Sequence, residues 1–258
     1  MQSMWTGLDG VNAASQWLNA ISGNIANLDS VGYASQNGSF ADTLTRQLSS
    51  AATAPSVASR YTLPGYWGGS GAYFTQPEID FSQMPLQATG NTMDAAISGP
   101  GFFTVQSLSG QTLLTKAGNF IWSKQPNGSF ALSLPDGSLL LDTQHQPIIQ
   151  PNSAASMSIG KDGQIFFNGK PGPKLNIVQV AVPSQSLIPQ SNDTYAIAQG
   201  WKAIPSPQST VLQGYLSQSN VNITNELVKL MQAQELYSLN AQSLKMSNQM
   251  MGIANTIL

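Results

Sequence analysis

Cysteine is missing from all 258 residues of this chain, and histidine occurs only once. The first absence excludes disulfides, thiolate nucleophiles and thiolate metal sites. The single histidine, His145, lies in a polar, turn-like stretch, where a surface position is far more common than a role as base or ligand. No Gly-x-Ser-x-Gly elbow marks a hydrolase nucleophile. The sequence therefore predicts no catalytic residue, no cofactor, no metal and no enzymatic activity.

Charged side chains are scarce as well. Asp, Glu, Lys and Arg make up 9% of the chain, against about 25% in ordinary soluble proteins. The formal net charge is −2, so no basic surface is present to attract nucleic acid. With so few charges, little repulsion keeps copies of the chain apart, which favours a protein whose working state is an assembly.

The sequence also lacks the signals of ordinary secretion and of membrane insertion. Its first basic residue is Arg46, so no basic segment precedes an apolar run as a Sec-type signal requires. No apolar stretch reaches the 18 residues that could span a bilayer. We expect no membrane insertion, and either a cytoplasmic protein or one exported without a cleaved signal peptide.

What the sequence does contain is a long apolar repeat at each end. In the N-terminal segment, apolar and small residues recur at steps of four and three and form a heptad stripe, which consists of Met4, Leu8, Val11, Ser15, Leu18, Ser22 and Ile25. Turn-forming residues near Gly32 are expected to end this helix. The C-terminal stripe extends this spacing over about five heptads through Ile223, Leu227, Leu230, Gln234, Tyr237, Ala241, Leu244, Asn248, Met251, Asn255 and Leu258. Glu226 in the first turn suits the helix dipole. Because neither helix can bury its stripe alone, we expect the two to pair as a coiled coil.

The middle of the chain is typical of β structure. Turn dipeptides separate short apolar runs, and the strongest hairpin signals are Asn127-Gly128, Asp136-Gly137, Asp162-Gly163 and Asn168-Gly169. The predicted fold is α+β, with a mostly antiparallel β domain inserted between the terminal helices. The predicted domains are a helical domain from 1–33 and 215–258, an extended Ser-, Gly- and Pro-rich linker over 34–87, and a β domain over 88–214.

Four stretches of the chain carry a further signal. The first, Ser22–Tyr33, contains Asn24-Ile25-Ala26-Asn27 and closes on Gly32-Tyr33. The other three are Gln87–Phe103, Leu114–Phe120 with its Thr-Lys-Ala-Gly-Asn-Phe sequence, and the segments Gln213–Leu216 and Ser219–Asn222 ahead of the C-terminal helix. Found in the same order, they resemble the flagellar basal-body rod and hook proteins, and most of all the rod members. The resemblance implies a structural subunit of the flagellar rod, whose terminal helices form an inner domain and which polymerises into a hollow, torque-transmitting shaft. It also implies that the protein is exported through the flagellar type III apparatus. Its implied partners are other copies of itself and other axial proteins of the flagellum.

The heptad stripes and the first motif supply the predicted assembly interface, which consists of Leu8, Val11, Leu18, Asn24, Ile25, Asn27, Leu227, Leu230, Tyr237, Leu244 and Met251. For Asn24 and Asn27, local helix capping and hydrogen bonding between subunits are both open. Two other functions stay open. One is a hook-associated or adhesin-like binding module, and the other is a carbohydrate-active enzyme using Glu78 and Asp80, which share one face of a strand.

Overall fold

A computed structural model describes residues 2–42, 45–48, 66–69, 71–75, 77–126, 128–151, 156–191, 193–206 and 208–257. Residues 49–65 of the predicted linker and Asn127 of the first hairpin signal lie outside these ranges. The chain forms two compact units. The helical unit contains Met1–Ile25, Gln36–Pro77 and Ile223–Leu258, and the β unit contains Ala26–Ser35 and Glu78–Asn222.

Three helices occur in the described residues: α1 at Gln2–Ala26, α2 at Pro183–Ser186 and α3 at Ile223–Ile257. Helix α1 ends in a turn, and Gly32 beyond it has φ = 77°, a value that glycine adopts without strain. Helix α3 has 35 residues, and its length follows from the absence of proline and the strong helix propensity of its Leu, Gln, Lys and Met residues. None of the described helices combines the length and the apolar character needed to cross a membrane.

The strands are short and lie between α1 and α3. The first eleven are β1 Gln36–Asn37, β2 Phe40–Asp42, β3 Thr45–Leu48, β4 Tyr66–Gly69, β5 Ala72–Phe74, β6 Glu78–Ile79, β7 Leu86–Ala88, β8 Ala95–Ser98, β9 Phe102–Gln106, β10 Thr112–Thr115 and β11 Ile121–Lys124. The remaining ones are β12 Phe130–Ser133, β13 Leu139–Leu140, β14 Met157–Ile159, β15 Gln164–Phe167, β16 Lys170–Lys174, β17 Ile177–Val180, β18 Leu187–Pro189, β19 Thr194–Ile197, β20 Ala203–Pro205, β21 Thr210–Gln213 and β22 Tyr215–Ser217. Two helices flanking a central antiparallel β region confirm the predicted α+β class.

The main sheet of the β unit has nine strands among the described residues, in the order β11-β12-β13-β9-β10-β19-β18, with β17 joining β9 to β20. All of its described pairings are antiparallel.

Three predicted hairpin turns are confirmed. Gly137 and Gly163 have φ values of 87° and 80°, and Asn168-Gly169 between β15 and β16 has positive φ at both residues, as a type I′ turn requires.

Apolar side chains from these strands form the core of the β unit. Phe103 and Phe120 are fully buried and meet edge to face, with their ring centroids 5.2 Å apart. A second cluster contains Phe81, Phe102 and Tyr195, whose rings also meet edge to face. Edge-to-face packing adds to the hydrophobic gain because the positive edge of one ring meets the negative face of another.

Parts of the first three family stretches lie close together inside the β unit, where their glycines allow backbones to approach closely. A Cβ on Gly118 of the third stretch would overlap the carbonyl oxygen of Ala95 in the second. A Cβ on Gly32 of the first stretch would overlap the backbone of Ala117. The Gly32 N–H donates to the carbonyl oxygen of Ser217, 2.8 Å away, which lies between the two segments of the fourth stretch. Several residues that carry the resemblance therefore make close contacts within the β unit.

Replacement of Gly118 by Ala tests this packing. Because the colliding atom is backbone, the chain must shift, and we expect a loss of about 2–4 kcal/mol in unfolding free energy. Gly110→Ala is the control, since Gly110 has φ = 82° but open space around its Cβ position, and should lose only about 1–2 kcal/mol. Urea unfolding of both variants makes the comparison, and equal losses would contradict the steric explanation.

Candidate assembly interface

Helices α1 and α3 are in contact and run antiparallel. A Cβ on Gly7 would lie 3.8 Å from the Cα atom of Leu244, and one on Gly10 would lie 2.8 Å from the Asn240 side chain. At the other end of α1, the Asn24 side chain donates to Glu226 at the start of α3. Ascending positions on α1 therefore match descending positions on α3. The predicted contact between the terminal helices is confirmed.

The face of α1 that is buried within the chain consists of small residues and one large apolar side chain. Gly7, Ala13, Ala14, Ile21 and Asn24 are the buried positions of α1 among those whose side chains are described. Glycine and alanine let the backbone of α3 come close, as the Gly7 and Gly10 contacts show. Ala13 and Ala14 are among the alanines whose small side chains the sequence predicts to allow close approach of a partner helix, whereas Gly7 is not part of the predicted pattern.

None of the four apolar residues of α1 in the predicted interface is among these buried positions. Leu8 is 39% exposed, and Val11, Leu18 and Ile25 are partly exposed. Leu8 and Ile25 each follow a buried residue, Gly7 and Asn24, by one step of about 100° around the helix. Their side chains therefore remain accessible along one side of α1. Their role in contacts between copies stays a prediction.

The predicted residues of α3 divide between two environments. Leu244 lies against Gly7 of α1, and Leu230 and Met251 are partly exposed. Leu227 and Tyr237 are exposed. The fully buried positions of α3 in the described residues are Glu226 and Ala233, neither of which was included in the predicted interface. For α3, too, a role in contacts between copies stays a prediction.

A buried hydrogen-bond network fixes one end of the helix pair. Asn24 is 1% exposed, and its Oδ1 accepts from the Gln36 N–H at 2.9 Å. Its Nδ2 donates to the Gln36 carbonyl oxygen at 2.9 Å and to Oε2 of Glu226 at 3.2 Å. One side chain thus joins the end of α1, the strand β1 and the start of α3.

Glu226 is the charged centre of this network. It is 4% exposed. Its Oε1 lies 2.7 Å from the Lys229 ammonium, and the two groups form an ion pair. Lys229 also donates to Oδ1 of Asn37 at 2.9 Å. A buried carboxylate is tolerated only when it is paired and hydrogen-bonded, and here both conditions hold. The sequence analysis had assigned Glu226 only to the helix dipole.

Asn27 has a local role that matches one of the two predicted possibilities. Its Oδ1 accepts from the Ser30 hydroxyl at 3.1 Å, and its carbonyl oxygen accepts from the Ser30 N–H at 3.2 Å. These bonds form the turn that follows α1. Asn24 instead makes hydrogen bonds to residues distant in the sequence. The two asparagines of this motif therefore have different structural roles.

The described titratable groups of the β unit that the sequence singled out lie in turns or in its core. Burial lowers the pKa of Lys116, although the Asp80 carboxylate opposes the shift, and the Lys116 ammonium lies 5.5 Å from the Phe102 ring centroid. Burial also raises the pKa of Tyr195. His145 is exposed in a turn, and Oδ1 of Asp80 accepts from the Ser82 N–H as in a turn. Across the described part of the chain, no cluster of three His, Cys, Asp or Glu side chains could hold a metal.

Comparison with known proteins decides what this architecture is. Residues 212–257 match the family model described as flagellar basal body rod FlgEFG protein C-terminal, and residues 96–167 match the flagellar hook protein FlgE/F/G D1 domain. The flagellar basal-body rod protein FlgG of Buchnera aphidicola from Schizaphis graminum is 31% identical over 265 residues, covering 96% of both chains. The chain belongs to the flagellar basal-body rod protein family.

Two relatives from Bacillus subtilis extend the comparison. Its flagellar basal-body rod protein FlgG is 27% identical over 264 residues, which cover 97% of both chains. Its flagellar hook-basal body complex protein FlhP is 24% identical and covers 100% of this chain and 98% of its own. Rod-family membership confirms the predicted structural, non-enzymatic subunit and rules out the carbohydrate-active enzyme.

Asn24→Ala tests whether the buried network holds the helix pair. The substitution removes the partner of the Gln36 backbone groups and of Oε2 of Glu226, while Oε1 of Glu226 keeps its pair with Lys229, and we expect a loss of about 2–4 kcal/mol in unfolding free energy. Asn27→Ala removes local turn bonds only and should lose about 1 kcal/mol or less. Urea unfolding monitored by helical circular dichroism compares the two, and a larger effect at Asn27 would contradict the assignment.

Proposed function

We propose that this rod subunit assembles with copies of itself and with other axial proteins of the flagellum into a hollow shaft that transmits torque. It reaches that position through the flagellar type III export apparatus, without cleavage of a signal peptide. The terminal helices form the cohesive inner part of the shaft, and the predicted β domain supplies contacts further out.

The exposed apolar surface of α3 is the observation that supports the assembly proposal. Ten large apolar side chains of this helix are exposed, namely Ile223, Leu227, Val228, Met231, Leu236, Tyr237, Leu239, Met246, Met250 and Ile253. Burial of one such side chain is worth about 1.5–3 kcal/mol. A helix that displays ten of them gains a large free energy when neighbours cover it.

The charge content of α3 points the same way. The described residues of the helix include only Glu226, Lys229, Glu235 and Lys245 as charged groups, and Glu226 with Lys229 form an internal pair. A helix surface intended for solvent normally carries charges on its outer side. Here the outer side carries few, so packing against neighbouring helices meets little electrostatic resistance.

Leu230→Asp tests the assembly role of α3. The partly exposed Leu230 would place a charge among apolar neighbours, and we expect rods to fail to assemble while the β unit stays folded. Ser238→Asp is the matched control, because it adds the same charge at an exposed polar position of the same helix.

Each variant is made the sole copy of the gene, and motility and isolated basal bodies are examined. We expect non-motile cells without rods for Leu230→Asp and near-normal cells for Ser238→Asp. Normal motility with Leu230→Asp would overturn the assembly role. Mass measurement of the subunit in wild-type basal bodies tests the export proposal, and loss of an N-terminal segment would overturn it.

A further inference from the structure

Two strands at edges of the main sheet end in the same two residues. Among the described strands, β18 pairs with β19 alone and ends in Ile188-Pro189, and β20 pairs with β17 alone and ends in Ile204-Pro205. Each of the two isoleucines is 49% exposed. An exposed β-branched residue on a sheet edge favours the addition of a strand from another molecule, because the edge also presents backbone groups that no strand pairs.

The pairing of β18 with β19 shows which way the nitrogen of Pro189 points. The Gln190 N–H donates to the Thr194 carbonyl oxygen at 2.8 Å. Hydrogen-bonded and non-bonded positions alternate along an antiparallel ladder. The backbone groups of Ile188 therefore face β19, and those of Pro189 face away from the sheet.

The outer side of β18 keeps no N–H group for a new strand. Its two outward positions are Leu187 and Pro189. The Leu187 N–H donates to the carbonyl oxygen of Pro183 in α2, and Pro189 has no N–H at all. A strand that approached β18 would find carbonyl oxygens but no donor, so a regular ladder could not form.

Strand β20 has the same arrangement. The Ser206 N–H donates to the Ile177 carbonyl oxygen at 3.1 Å. By the same alternation the backbone groups of Ile204 face β17, and those of Ala203 and Pro205 face outward. Pro205 therefore removes one of the two N–H groups that a new strand would use on this edge.

Other edge strands of the β unit carry charge as well. Strand β16 has the sequence Lys-Pro-Gly-Pro-Lys at the edge of the three-stranded sheet, and β11 ends in Lys124 at another edge of the main sheet. Edge lysines oppose strand addition, because pairing would bring their charge against the incoming chain. Strands β18 and β20 contain no charged residue. Their prolines are thus the feature that distinguishes them from open edges.

We propose that Pro189 and Pro205 close these two edges against strand addition by a second copy of the chain. The closure goes beyond the proposed rod function and does not depend on it. Charged residues make up 9% of the chain, so little repulsion separates two copies, and joining of two β units edge to edge would compete with any ordered assembly. Because both proline nitrogens face outward, closure removes no hydrogen bond inside the sheet.

Replacement of each proline by threonine, one edge at a time, tests the closure. Threonine restores the outward N–H and suits a strand. The neighbouring isoleucine is replaced as well, by Ile188→Cys or Ile204→Cys, in a chain that has no other cysteine. Two copies that pair antiparallel about this residue would place the two cysteines opposite each other with Cα atoms about 4.5 Å apart, a separation that a disulfide can span.

The full-length cysteine variants are compared with and without the threonine substitution, at equal concentration, after oxidation. We expect at least about a fivefold higher yield of disulfide-linked dimer with Pro205→Thr than with Pro205, and the same at β18 with Pro189→Thr. Pro151→Thr is the matched control, because Pro151 is exposed and lies outside the strands, and should leave the yield unchanged.

Circular dichroism shows whether each variant keeps the wild-type fold, and alanine replaces threonine at an edge where threonine alters the spectrum. Equal dimer yields with and without the proline would overturn the closure of that edge. An equal rise with Pro151→Thr would overturn it at both edges. Either result would leave the rod function standing, because the motility experiment tests that function separately.

Discussion

The bond between Asn24 and Glu226 determines how the two ends of this chain meet. A carboxylate that is 4% exposed must be paired, and its partners come from α1, through Asn24, and from its own helix, through Lys229. Because these groups satisfy one another in this arrangement, they help to fix the register of an antiparallel helix pair in which Gly7 and Gly10 also lie against α3. Small residues permit close packing but specify it poorly, so the polar network supplies the specificity.

Because small residues and a polar network make contacts between α1 and α3, many large apolar residues of these helices remain accessible. In most soluble helices the large side chains form the internal contact and the polar ones face solvent. Here Gly7 and Gly10 lie against α3, while Leu8 and Met231, Met246 and Met250 of α3 stay exposed. Under the proposed function, these exposed side chains are the ones available for contacts with neighbouring subunits.

Much of the fold could be predicted from the sequence, because it depends on local chemistry. The terminal helices, the antiparallel β region and the turns at Gly137, Gly163 and Gly169 follow from periodicity and turn residues. The small alanines of α1 indicate a close helix contact, but the contacts of Gly7 and Gly10 with α3 could not be predicted, because heptad analysis follows apolar side chains. The link from Asn24 to Glu226 spans 202 positions, and no local pattern in one sequence reveals such a distance. The close approach of Gly118 to Ala95 explains a family motif that had been only a resemblance.

Hydrogen exchange measured on dispersed subunits and on assembled rods tests the central claim that α3 keeps its apolar surface for neighbouring subunits. The account predicts that amides of residues 223–257 exchange much more slowly in the rod than in the dispersed subunit, whereas amides of β9 in the core of the β unit change little. If α3 were equally protected in both states, its surface would already be covered in the single chain, and the account would be contradicted.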